Sequence, residues 1–188
     1  YGLVGSEMCI RDSDKRIAIY DWTRTTMNWN GKERLYATKS IKDAYNERTG
    51  SSADINLMLI AMLKEAGLNA NPIVLSTRDN GFINPFYPTI SGFNYVIANV
   101  TVGSKNYFLD ATSKNSPAGL LPSRCINGYA RLLGTKTTEV NIVGTEKSKY
   151  TRFLNIEISD DKLTGTLSTK LKNNAAVFYR NEYRGSIS

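Results

Sequence analysis

From Ala53 to Ala66 the chain reads ADINLMLIAMLKEA, apolar around nearly the whole circumference of a helical wheel. That pattern predicts a helix buried on most sides, and Gly67 supplies a residue suited to the left-handed position that closes it. Upstream, Ile17, Tyr20, Trp22 and Met27 fall near helical spacing, which predicts a helix from Asp14 to Asn28 with Asp14 capping its first turn. Asn30 and Gly31 break it, and a short helix beginning at Ser40 fits Ala37 to Tyr45. Downstream, Pro72 opens the β-branched run IVLST, short enough for a buried strand. Arg78 to Gly92 is too rich in Gly, Pro and Asn to be regular. Strands are predicted for Phe93 to Val102 and Lys105 to Asp110, joined as a hairpin at Gly103-Ser104. A buried helix beside antiparallel strands is an α+β arrangement.

Beyond Tyr150 the period changes. Leu163, Gly165, Leu167, Thr169 and Leu171 alternate with polar residues, the two-residue repeat of a strand with one wet face. Phe153 to Ile158 is its predicted partner across residues 159–161. The predicted organisation is therefore a leader (1–13), a first domain (14–135), a linker (136–150) and the start of a β-rich domain (151–188).

Composition changes this picture in three ways. With 41% hydrophobic residues over 188, the chain can bury a real core. Leu3 to Ser13, LVGSEMCIRDS, resembles a translated sequencing adapter, so the chain is expected to be a metagenomic fragment with an artefactual leader. Setting that leader aside leaves Cys125 as the one native cysteine, with no intramolecular disulfide, and raises the formal charge of +7 by one. The charge is spread without a run of five like residues, which favours a solvated basic surface over a nucleic-acid site. A polyanion or nucleic-acid binder is kept as an alternative, with affinity falling steeply as salt rises. No apolar run approaches the roughly 20 residues that cross a bilayer. No motif calls for a metal or a cofactor.

The chemistry turns on GSSADIN, a helix start that offers serines, in a chain with no histidine. The helix opening after Gly50, the strand FNYVIANV, and FLDAT in that order, together with GLNANPIVLSTRDNG, resemble the transglutaminase-like superfamily. More closely, Ile17 to Leu133 resembles the transglutaminase-like domain of multi-domain bacterial envelope proteins. The resemblance implies a papain-like core, a central helix packed on an antiparallel sheet, with a periplasmic or envelope location and flanking β-rich domains as partners. It also implies a cysteine at the helix start, where the positive helix end favours thiolate, a histidine on the next strand, and an aspartate that fixes the imidazole.

Those positions fall on Ser52, Tyr95 and Asp110, so only the aspartate is retained. Ser51 does not restore the nucleophile, and Tyr95, with a pKa ordinarily near 10, is a poor base at neutral pH. The expectation is a non-catalytic transglutaminase-like domain acting as a structural or peptide- or glycan-binding module, with Ser52 capping the helix. Candidate ligand contacts are Trp29, Arg78, Phe86, Tyr87 and Tyr95, with Lys39 nearby, whereas Trp22 is assigned to the core. The enzymatic alternative is an amidase or protease using Ser52 with Lys39 or Lys114 as an unusual base. Cys125 lacks a base and reads as a small semi-buried hydrophobe.

Overall fold

The computed structural model describes residues 3–144, 146–159 and 161–185. The chain divides into two units at Val143 and Gly144. The first opens with helix α1 (Leu3–Thr26), longer toward its start than the spacing predicts, so Asp14 is an exposed interior residue and not a cap. Its inward stripe is Arg16, Tyr20 and Thr23, continued by Met27 just past its end, while Ile17, predicted to face in, is 40% exposed. Arg16 takes that place by laying its guanidinium 4.0 Å from the centre of the Tyr107 ring, with its aliphatic stem covered.

A two-residue strand β1 (Asn28–Trp29) pairs in parallel with β2 (Thr49–Gly50) on either side of helix α2 (Ile41–Glu47), which Ser40 caps through Asp43 N. Helix α3 (Ser52–Glu65) follows, buried at Ile55, Met58, Leu59, Ile60 and Leu63. Each such side chain contributes roughly 1.5–3 kcal/mol. Gly67 ends the turn at φ 82.

Strands β3 (Asn69–Leu75), β4 (Tyr95–Val102), β5 (Lys105–Leu109), β6 (Gly128–Leu132) and β7 (Thr138–Ile142) form an antiparallel sheet in the order β5-β4-β3-β6-β7. Helix α3 packs on β3 and β4, with α1 beside it, and closes one face over Ala70, Ala98 and Val100. The other face, Ile73, Leu75, Tyr95 and Ile97, is covered by Leu121 and Cys125 from the segment between β5 and β6. The fold is the predicted α+β core.

In the second unit β8 (Lys149–Ser159) and β9 (Lys162–Lys172) form the predicted hairpin, pairing Leu154 with Leu167 and Ile158 with Leu163. A helix, α4 (Asn174–Gly185), follows where the alternating pattern announced none, and packs against β9. The face expected to be dry is exposed at Leu154, Ile158 and Leu163.

Candidate functional site

The first turn of α3 carries the residues at the family's nucleophile position. Ser51 is the N-cap, not Ser52. Its Oγ accepts from Asp54 N at 3.3 Å and its backbone N–H donates to Asp54 Oδ2 at 2.8 Å, a reciprocal capping box. Ser52 is the first helical residue, fully buried, and its hydroxyl is committed twice to one backbone unit. It accepts from Arg34 N at 2.9 Å and donates to Arg34 O at 3.1 Å.

Those bonds hold residues 32–39 as a strap across the helix start. Ser52 N donates to Lys32 O at 3.0 Å, and Glu33 accepts from Thr77 Oγ1 at 2.8 Å and Asn94 Nδ2 at 2.9 Å. At the far end Asp54 accepts from Thr38 N and Thr38 Oγ1, each at 2.7 Å, and from Lys39 N at 3.3 Å. Burial would raise the Asp54 pKa, but the donors from Thr38 and Ser51 outweigh it and hold the carboxyl below its usual range.

Asp110, just past the end of β5, is the centre of a second cluster. It is buried and accepts from Tyr95 Oη at 2.9 Å, Asn56 Nδ2 at 2.9 Å, and Thr112 N at 3.0 Å and Oγ1 at 2.8 Å. The Cys125 thiol donates to it at 3.6 Å, and Arg124 lies 3.7 Å away as its ion-pair partner. Arg124 itself sits against the Trp29 ring at 4.3 Å and donates to Tyr95 Oη at 3.2 Å and Thr112 Oγ1 at 2.6 Å. Burial, reinforced by Asp110, pushes the Tyr95 hydroxyl and the Cys125 thiol well above their ordinary pKa values. For Arg124 burial acts downward, but Tyr95 and Asp110 override it and keep the guanidinium charged.

The chemistry available follows from these partners. Tyr95 is a donor, not a base. Cys125 stays a thiol, since thiolate is the nucleophilic form and burial beside a carboxylate opposes it. The hydrogen bonds of Ser52 go to Arg34, and neither Tyr95 nor Asp110 is among their partners. The lysines weighed as bases are engaged elsewhere, Lys39 Nζ with Glu47 at 2.5 Å and Lys114 Nζ with Asn28 at 2.6 Å.

Of the candidate ligand residues, Trp29 and Tyr95 meet at Arg124, and the set differs in exposure. Tyr95 is fully buried and unavailable to a ligand at the surface. Arg78 spends its Nε on Ile126 O at 2.9 Å, tying the loop after β3 to the segment before β6. Trp29 is half-buried under Arg124, while Phe86 and Tyr87 stand 85% and 81% exposed. Trp22 packs at the core edge and stacks on Tyr45 with ring centres 5.8 Å apart. Residues that the sequence reading missed are Asn56, Thr112 and Arg124. Asn56 alone had a signal: a polar residue inside an otherwise apolar helix run needs a buried partner.

Among the described residues no helix is long and apolar enough to cross a membrane. A search of curated proteins returns no match. Among solved structures, the chain is similar to a presumptive protease of Parabacteroides distasonis, at 15% identity and TM-score 0.50, over 70% of this chain and 24% of that one. It is also similar to a presumptive cysteine protease of Cytophaga hutchinsonii, at 16% identity and TM-score 0.38, over 88% and 58%. The chain thus spans about a quarter of the first protein's length and somewhat over half of the second's. The first likeness supports the fold. The sequence profile of the transglutaminase-like superfamily matches residues 6–109, more than half of the 188, and the chain belongs to that superfamily.

Proposed function

We propose that this is a non-catalytic transglutaminase-like domain, a structural or peptide- or glycan-binding module within a larger envelope-associated protein whose flanking domains are its partners. One observation carries the reading: the hydroxyl at the nucleophile position is buried and bonded in both directions to the Arg34 backbone, in a chain with no histidine. A serine attacks an acyl carbon only when a positioned base takes its proton, a contribution of about 10² to 10⁴ in rate. Tyr95 and Cys125, both hydrogen-bonded to the retained aspartate, are held as donors, and Lys39 and Lys114 are spent on other partners. Phe86 and Tyr87 are exposed aromatic surfaces of a kind that suits a peptide or glycan.

The protease names of the two structural neighbours define the test. Purified protein is assayed for amidase, protease and crosslinking activity beside Ser52→Ala. No activity above background is expected from either protein, and turnover that disappears in Ser52→Ala overturns the proposal.

A further inference from the structure

Helix α3 packs on β3 and β4 and leaves part of the same sheet face open toward β6. The gap is a pocket of about 560 Å³ walled by Leu35, Leu57, Val74, Ile90, Phe93 and Val96. That volume lies within the roughly 300–1,000 Å³ of small-molecule sites. Its wall at residues 35–37 is held between two anchors already described, Arg34 on Ser52 and Thr38 on Asp54.

Among the described residues a single charged side chain lines this space: Arg131 on β6, paired in register with Val74. Tyr129 Oη takes its Nε at 2.6 Å, and the Tyr129 ring lies 6.4 Å from the Phe93 ring, so the guanidinium is oriented by a packed aromatic. Glu139 is its neighbour across the strands, yet no ion pair joins the two among the described residues. An oriented guanidinium at an apolar pocket, with no carboxylate of its own, matches a ligand carboxylate.

We propose that this pocket binds a small amphipathic carboxylate, an unbranched acyl chain whose head meets Arg131 and whose tail lies against Leu57, Val74 and Val96. A peptide end would bring backbone amides into the same space, and buried amides need partners. Beyond Arg131, only Tyr36 and Thr137 among the lining side chains carry polar atoms. The proposal stands whether or not Ser52 is inert.

Calorimetric titration of the 188-residue chain with decanoate, and with decanol as the uncharged comparison, tests it. Decanoate should saturate one site and bind more tightly than decanol. Arg131→Gln should weaken decanoate about tenfold and leave decanol unchanged, the loss expected for a hydrogen bond to a charged group. Ala37→Trp and Leu133→Trp, each at an exposed rim position, should block both ligands, with circular dichroism melts confirming that each variant folds. Any of four results overturns the proposal: no saturable binding to the folded chain, equal affinity for decanoate and decanol, decanoate binding indifferent to these substitutions, or preference for a short apolar peptide.

Discussion

Asn56 Nδ2 lies 2.9 Å from Asp110 Oδ1, joining α3 to the end of β5 across 54 positions of sequence. The same amide also donates to Val96 O and accepts from Ala111 N, each at 2.9 Å, so Asn56 ties the helix to β4 as well as to the Asp110 segment. In the family arrangement the aspartate steadies an imidazole. Here it gathers Asn56, Tyr95, Thr112, Cys125 and Arg124 around one buried charge.

That charge is the basis of the first prediction. Asp110→Ala removes the acceptor and leaves Arg124, Tyr95 and Asn56 short of a partner. Removing one member of a buried ion pair costs about 3–5 kcal/mol. Urea unfolding should show a loss of that order, with Asp110→Asn less harmful because one oxygen remains.

Ser52→Ala should cost stability and nothing else. The hydroxyl satisfies both backbone polar groups of Arg34 in part-buried hydrogen bonds, each contributing about 0.5–1.5 kcal/mol. The measurement is a shifted urea midpoint at constant slope, accompanied by an unchanged blank in hydrolase assays.

Alkali should unfold the protein through Tyr95 and Cys125. Both have folded-state pKa values raised above their unfolded ones, so their contribution is complete below the unfolded values, about 8.5 for a thiol and 10 for a phenol. It is lost as pH rises beyond them toward the folded values. Tyr95→Phe should be less stable at pH 7 than the parent yet show a shallower decline above pH 10, read from melting temperature against pH.

Acid acts on the other cluster. The Asp54 carboxyl has a folded pKa below its unfolded value of about 3.9, so its contribution is present above that pH and lost as pH falls through the folded value. Asp54→Asn should flatten the acid limb of the stability profile while lowering stability at neutral pH.

Cys125 should resist alkylation in the native state. In a Cys9→Ser background, iodoacetamide is expected to label the folded chain slowly and the urea-unfolded chain fully at the same pH. Rapid labelling of the folded chain would show that the thiol is neither protonated nor enclosed as described.

Local signals in the sequence carried the framework. Gly67 and Gly103, which end a helix and turn a hairpin, take φ 82 and 60, and glycine writes such positions visibly. The apolar run of α3 and the β-branched strands were equally plain, because burial on both sides needs no partner to be recognised. The stripe on α1 was misjudged at Ile17 because Arg16 buries its stem against Tyr107, a contact made only after folding. The strap at residues 32–39 has no period to detect, and its form is dictated by acceptors on Ser52 and Asp54. Arg124 likewise gave no sign of its role, since Trp29, Tyr95 and Asp110 meet it only through the fold. The hydroxyl at Ser52 was placed at the helix start correctly, but capping fell to Ser51, one position earlier.

Because the strap is bonded at both ends to the first turn of a single helix, neither can loosen alone. The amides of Arg34, Thr38 and Lys39 point into side chains of α3, and those of Ser51, Ser52 and Asp54 are taken by each other or by the strap. Exposure to solvent deuterons should therefore come in one cooperative opening, with these amides exchanging at a common rate set by a single sub-global free energy. Helix starts ordinarily fray; this one is expected to behave as part of the interior.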